Sequence, residues 1–220
     1  MEKDLPLWLP QKLNLNPIFE KEAKMRQWLF GQYLLITIFL TLTGIRANAL
    51  PGQSSQRVAA WIEGHPTLSP RLSTGLIVKK IDTPARRFTF EAREIPPGRI
   101  GFNANPGIIR SESISFYDVI SGVSFTRLAE ALRTIYGLDI YQDFNLASVI
   151  YSYPTPETTE LARRQNRPLL AAQKGELRLG SRYAYWVEIA ETETGIAYNG
   201  EITVFLKEDL DKIETELRAR

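Results

Sequence analysis

Apolar and polar residues alternate through residues 183–206, the pattern expected of strands that bury one face. Two alternating runs are separated by the polar stretch 191–195, which ends in a glycine suited to a turn. The pattern therefore predicts a long antiparallel hairpin with its inner face on the core. The inward positions are Tyr183, Tyr185, Val187 and Ile189 in the first run and Ile196, Tyr198, Ile202, Val204 and Leu206 in the second.

Two segments have the three- and four-residue apolar spacing of amphipathic helices. The first is 124–136, where Ser124 suits an N-cap and Gly137 suits a left-handed C-cap. The second is 207–220, which has acidic residues at its start and arginines at its end, as the helix macrodipole favours. Each helix is expected to pack its apolar stripe on the sheet.

Shorter apolar runs separated by Pro and Gly fill the rest of the chain. Pro156 is placed to open a short helix that continues to about residue 165. A hairpin is expected across the turn at 82–84, where Phe88 and Phe90 alternate with polar residues. The predicted strands are 76–81, 88–91, 108–117, 138–141 and 147–153.

These elements predict an α+β fold, because strands and helices do not follow a strict βαβ alternation. We expect one mainly antiparallel sheet with two principal helices packed on it. The single domain is placed at 74–220, after an extended lead-in at 50–73. Without its first 49 residues the chain keeps 171, enough to bury about two thirds of its unfolded surface.

An N-terminal signal peptide is predicted over residues 25–49. Arg26 supplies the positive start, and residues 28–45 carry no charge. Ala47 and Ala49 are the small residues that a signal peptidase reads, so cleavage is expected after Ala49. The pattern indicates a protein that works outside the cytoplasm, in the periplasm or a comparable space.

The same uncharged run is also long enough for an uncleaved membrane anchor. Its 18 residues span roughly 27 Å as a helix, close to the ~30 Å hydrocarbon core of a bilayer. Basic residues at 21–26 outnumber the lone Arg46, which places the N-terminus in the cytoplasm in either case. Residues 1–24 are then a cytoplasmic prefix, unless translation starts at Met25.

Charge and cysteine content remove several classes of function. The segment 1–49 holds six of the 27 Lys and Arg and four of the 25 Asp and Glu, so the remainder is formally neutral. A neutral domain gives no argument for nucleic acid or for an anionic membrane surface. The absence of cysteine excludes disulfides, thiolate metal sites and thiol catalysis.

The sequence contains no recognisable catalytic motif, since the nucleophile elbow, the dinucleotide fingerprint and the P-loop are all absent. His65 is the only histidine, and it lies in a Gly-His-Pro loop without an adjacent acid. We therefore expect neither a metal nor a cofactor. A carboxylate pair is the remaining catalytic option. Its candidates are Asp118, Asp139, Asp143, Glu188 and Glu191.

Trp186 is the candidate binding residue, because it lies on the strand face opposite the apolar positions. Such a side chain must meet a helix, a partner or solvent. Arg182 and Glu188 share its face, Tyr198 is a further aromatic candidate, and the loop 95–107 is a second candidate surface.

We therefore expect an exported, non-enzymatic binding or accessory protein that holds a protein partner or a small ligand. The alternatives are an exported hydrolase that uses a carboxylate pair, and an accessory subunit tethered by residues 28–45.

Two stretches resemble exported cyanobacterial proteins of unknown function. They are GLDIYQDFNLASVIYSYP (137–154) and LKEDLDKIETELRAR (206–220). The resemblance implies the periplasm or the thylakoid lumen, and a photosynthetic or envelope accessory role. It brings no characterised active site.

The signal peptide predicts that the native protein is recovered in the soluble fraction and begins at Leu50. Intact-mass spectrometry of separated soluble and membrane fractions checks this. A membrane-bound species that retains residues 28–45 would contradict cleavage and favour the anchor.

Overall fold

A computed structural model describes residues 50–69, 75–99 and 105–220. The predicted prefix 1–24 and the signal peptide 25–49, with its cleavage residues, lie outside the described residues. Within the described ranges, no helix has both the length and the apolar character needed to cross a bilayer.

Seven strands form one antiparallel sheet in the order β1-β2-β3-β7-β6-β5-β4. Strands β1 to β3 run inward from one edge, and β4 to β7 run inward from the other, so β3 and β7 meet at the centre. The predicted α+β class and antiparallel sheet are confirmed. The strands are β1 (Ile77–Thr83), β2 (Arg86–Arg93), β3 (Ser111–Asp118), β4 (Ser148–Tyr153), β5 (Gln173–Leu179), β6 (Ala184–Glu191) and β7 (Ala197–Phe205).

Several helices accompany the sheet, more than the two principal ones expected. A short 3-10 turn (Lys207–Asp209) leads into the last of them. The α-helices are α1 (Ser55–Gly64), α2 (Phe125–Tyr136), α3 (Leu138–Leu146), α4 (Pro156–Arg164), α5 (Pro168–Ala172) and α6 (Leu210–Arg218).

The predicted caps of α2 are present in the structure. The side chain of Ser124 accepts a hydrogen bond from the amide of Arg127, and Gly137 ends the helix with φ of 89°. Gly137 also begins α3, so the predicted strand at 138–141 is wrong. Ile140 and Phe144 are buried four residues apart, a helical spacing that a four-residue apolar run does not reveal.

The expected extended lead-in is corrected as well, because α1 lies within it. Ser54 caps this helix, and Val58 and Ile62 bury one face of it. Strand β5 was not expected at all. Its only large apolar residues are Leu177 and Leu179, so the alternating pattern is too short to indicate a strand.

Helices α1, α2 and α3 pack on one face of the sheet, the helix-covered face. The core there joins Ile62 of α1, Leu132 of α2 and Phe144 of α3 to strand residues such as Ile114 and Val187. Helix α6 packs on the other face through Leu210, Ile213 and Leu217. The sheet therefore presents two faces of different composition.

A carboxylic acid is buried within the helix-covered face. Glu112 of β3 is 0% exposed, and its Oε2 accepts a hydrogen bond of 2.6 Å from the hydroxyl of Tyr136. Its Oε1 is buried without a hydrogen-bond partner. Burial raises the pKa of Glu112 to about 7, more than the Tyr136 bond lowers it. Glu112 is therefore protonated in the folded protein below neutral pH.

Replacing Glu112 by Gln should remove a pH dependence of stability. The folded pKa of Glu112 lies above its ordinary value of 4.5, so the contribution of Glu112 to stability is full below pH 4.5 and is lost as the pH rises to about 7. The loss is on the order of 3 kcal/mol, and Gln cannot ionise. Urea unfolding between pH 4.5 and 8 measures this slope.

The exposed Glu193 provides the matched control, since Glu193→Gln should keep the wild-type slope. If Glu112→Gln and the wild type lose stability equally between pH 4.5 and 7, Glu112 is not the group that titrates.

Candidate binding site on the open sheet face

The face that carries α6 is covered over only part of its area. Beneath the helix lies an apolar cluster that includes Leu177, Ala184 and Phe205 from β5, β6 and β7. Towards β2 and β3 the same face is polar. We call this uncovered area the open face. Its residues are Arg87, Thr89, Ser115, Tyr117, Glu188, Asn199 and Glu201.

Strand register explains how these side chains share one face. Thr89 pairs with Ser115, Ser115 pairs with Glu201, and Glu201 pairs with Glu188. Successive residues of a strand point to opposite faces, so paired residues project on the same side. Four strands thus contribute one polar row across the sheet.

Two adjoining grooves run along this face. The first has a volume of about 360 Å³ and lies over the polar row between Arg87 and Gln173. The second, of about 380 Å³, lies between Trp186, the loop at 97–99 and the end of α6. Glu201 lines both grooves. The arrangement provides a continuous surface with carboxylates, hydroxyls and guanidinium groups.

Trp186 lies where the apolar cluster meets the open face. Its indole Nε1 donates a 2.7 Å hydrogen bond to the hydroxyl of Tyr153. That hydroxyl donates in turn to Oε2 of Glu188, which also accepts a 2.8 Å bond from Arg220. We call Trp186, Tyr153 and Glu188 the Trp186 network, to which Arg220 binds.

The guanidinium of Arg220 lies beside two aromatic rings of the Trp186 network. Its Cζ is 5.0 Å from the ring centroid of Trp186 and 5.8 Å from that of Tyr153. Both distances fall within the range of cation–π attraction. Burial raises the pKa of Tyr153 well above its usual value, and the neighbouring charge of Glu188 raises it further. The tyrosine therefore remains a neutral hydrogen-bond donor.

Glu188 and Glu201 stand directly opposite each other on β6 and β7. Cross-strand neighbours hold their Cβ atoms about 5 Å apart. Glu201 accepts hydrogen bonds from Ser115 at 2.8 Å and Thr203 at 3.1 Å. Glu188 is bound by Tyr153 and Arg220, so both carboxylates are held by donors. Such a pair is suited to bind a cationic group or hydroxyls.

The structure brings together two of the four residues predicted for the binding surface, Trp186 and Glu188. Arg182 is exposed in the turn before β6, where its guanidinium lies 5.9 Å from the ring of Tyr183. Tyr198 falls at an irregularity in the β6–β7 register, between Ala197 and Asn199, and does not line the two grooves.

Sequence reasoning missed Glu201 and Arg220, whereas Tyr153 is among the aromatic residues that could line a pocket. Glu201 was open to detection, because it occupies an outward position of the predicted hairpin. Tyr153 and Arg220 reach the site only through the pairing of β4 with β5 and the placement of α6.

The candidate loop at 95–107 is described as far as Arg99 and again from Asn105. Its first part is attached to α6. Glu216 accepts a 2.8 Å hydrogen bond from the amide of Arg99, and Lys212 donates to the carbonyl oxygens of Pro97 and Arg99, each at 3.1 Å. This loop therefore forms one wall of the second groove.

His65 has a structural role. Its Nδ1 accepts hydrogen bonds from the amides of Thr67 and Leu68, each at 3.2 Å. These bonds leave Nε2 as the donor to the carbonyl oxygen of Ile135, at 3.0 Å. Burial lowers the pKa of His65, which keeps the ring neutral.

The other carboxylates proposed for catalysis are dispersed. Asp143 accepts bonds from Ser181 and Tyr185 on the helix-covered side, and these bonds hold its pKa low despite its burial. Asp118 caps the turn after β3 and binds Arg127, with its pKa lowered chiefly by the amide of Ser121. Asp139 lies in the first turn of α3, and Glu191 is paired with Lys174.

Comparison with known proteins adds no family assignment, because no family model, curated protein or solved structure matches the chain. Among the described residues, no group of three or more His, Cys, Asp or Glu is arranged to hold a metal ion.

Gly175→Ala should disrupt the Trp186 network. A Cβ at Gly175 would lie 2.2 Å from the hydroxyl oxygen of Tyr153, so the tyrosine must move. We expect a loss of about 1–3 kcal/mol in stability, typical of overpacking, and a shifted Trp186 indole N–H resonance. Urea unfolding and NMR measure the two effects.

Gly64→Ala is the control, because a Cβ there has no neighbour within 4 Å. An unchanged Trp186 resonance in Gly175→Ala would show that Tyr153 does not hold the indole.

Proposed function

We propose that this protein is an exported, non-enzymatic binding or accessory protein that holds its partner on the open face beside Trp186. The observation that carries the proposal is the groove of about 360 Å³ over the polar row. A binding site needs a concave surface with a few convergent polar groups. The open face provides both, next to a half-buried tryptophan.

The side chains of the open face favour a polar or charged partner. Carboxylates of Glu188 and Glu201 stand in the middle of the row, and Arg87 lies towards its β2 end. The guanidinium of Arg87 lies 4.2 Å from the ring centroid of Tyr117. A protein segment or a small polar ligand fits this mixture of donors and acceptors.

The proposed place of action is outside the cytoplasm, in the periplasm or the thylakoid lumen. The support is the predicted signal peptide at 25–49 with its small residues at Ala47 and Ala49. If residues 28–45 stay uncleaved, the same domain works as a tethered accessory subunit with its N-terminus in the cytoplasm.

A hydrolase is the second candidate, because Glu188 and Glu201 form a directly opposed carboxylate pair. Acid–base catalysis by two carboxyl groups needs one of them protonated and the other ionised. Here Arg220 pairs with Glu188, and Ser115 and Thr203 donate hydrogen bonds to Glu201, so both carboxyl groups already have partners within the protein. Substrate turnover lost in both Glu188→Gln and Glu201→Gln would favour this candidate.

Asn199→Arg should block binding on the open face. Asn199 is exposed and lines the first groove, so a large side chain there fills the surface without disturbing the core. An affinity-tagged full-length chain, expressed in its own cells, is cross-linked and its partners are quantified by mass spectrometry. We expect at least a ten-fold loss of recovered partner in the variant.

Thr126→Arg provides the matched control, since Thr126 is exposed on α2 at the opposite face. Equal recovery from the wild type and both variants would contradict a binding role for the open face.

A further inference from the structure

We propose that the Trp186 network is a guanidinium-binding site, which the chain's own Arg220 occupies and which receives an arginine side chain of a partner protein. The proposal rests on the binding function of the open face and names its ligand class. It begins from the two kinds of contact that Arg220 makes, an ion pair of 2.8 Å with Glu188 and cation–π contacts with Trp186 and Tyr153.

These contacts match the chemistry of guanidinium. The group is planar and always charged, and it can stack on an aromatic ring while it donates hydrogen bonds to a carboxylate. Trp186 provides the best aromatic face for a cation, and Glu188 provides the acceptor. A lysine ammonium is more strongly hydrated and lacks the planar surface, so the site favours arginine.

Contacts that do not involve Arg220 hold the residues of the site in place. Trp186 and Glu188 lie two residues apart on β6, between β5 and β7, and their side chains are joined through the hydroxyl of Tyr153. Gly175 leaves the space in which this hydroxyl lies. The receiving groups therefore remain in place when Arg220 leaves.

The negative charges of Glu188 and Glu201 also favour a bound cation. Without Arg220, Glu188 would face Glu201 across β6 and β7 with no opposing charge of its own. Arg93 lines the adjoining groove and attracts Glu201, but its guanidinium is paired with Glu91 at 2.6 Å and does not pair with Glu188. Opposed like charges destabilise a sheet, so an incoming cation is favoured.

Arg220 is an exchangeable occupant. It lies beyond the end of α6, and its side chain is 30% exposed. The ion pair that holds it is partly open to water, which screens the two charges and weakens the pair. An arginine from a partner can therefore displace Arg220, whose presence lowers the apparent affinity for such a partner.

The test uses the full chain with Arg220→Ala and the probe N-acetyl-arginine methylamide, titrated by calorimetry. We expect the variant to bind the probe several-fold more tightly than the wild type. The matching citrulline probe has the same shape without charge and should not bind. Arg218→Ala is the matched control, because Arg218 stacks on Tyr151 outside the Trp186 network and should leave the site occupied.

A variant that removes the Glu188 carboxylate shows whether the probe occupies this site. Glu188→Gln in the Arg220→Ala background should abolish binding, while circular dichroism confirms that the fold is kept. If Glu188→Gln unfolds the chain, Glu201→Gln in the same background replaces it and should weaken binding several-fold.

Equal affinity of Arg220→Ala and Arg218→Ala for N-acetyl-arginine methylamide would overturn the proposal. Binding of this probe that survives the loss of the Glu188 carboxylate would overturn it as well. The proposed binding function of the open face is tested separately. It is refuted if Asn199→Arg recovers as much partner as the wild type. Partner recovery lost in Asn199→Arg together with no probe binding would refute the guanidinium site alone.

Discussion

A buried ion pair between Arg110 and Asp209 attaches the start of the last helix to the residue that precedes β3. Arg110 directly precedes β3, Asp209 directly precedes α6, and both are less than one tenth exposed. The guanidinium binds both carboxylate oxygens, at 2.8 and 3.1 Å. Glu208 also pairs with this guanidinium, at 2.7 Å, so two acidic residues at the start of α6 hold Arg110. This attachment and the apolar contacts of Leu210, Ile213 and Leu217 place α6 over one part of the sheet and leave the rest of that face open.

The two faces of the sheet differ because helices bury the core on one face, whereas a helix covers only part of the other. On the helix-covered face the central strands contribute Ile114, Val187 and Ile202 to a continuous core. On the other face α6 covers one part, and the outward positions of β3 and β7 are polar. Strand alternation makes this division possible, since each strand can build a core with one side and a polar surface with the other.

Long periodic segments of the sequence predicted their structures well. The hairpin of β6 and β7, the capped helix α2 and the apolar stripe of α6 are all present. The error at 138–141 came from a run too short to distinguish a strand from a helix. Strand β5 was missed because only Leu177 and Leu179 are apolar in it, which leaves too short an alternating pattern. Trp186 and Glu188 were found because they share one strand face, whereas Tyr153 and Arg220 reach them only through strand order and helix docking.

The placement of Arg220 on Glu188, beside the rings of Trp186 and Tyr153, is tested most directly by NMR. The measurement is the spectrum of the arginine Nε–H groups in the wild-type protein, with Arg220→Ala to assign the signal. We predict an Arg220 resonance displaced by the ring currents of Trp186 and Tyr153, which moves to the position of an exposed arginine in Glu188→Gln. A wild-type Arg220 resonance that already has the shift of an exposed arginine would contradict this placement.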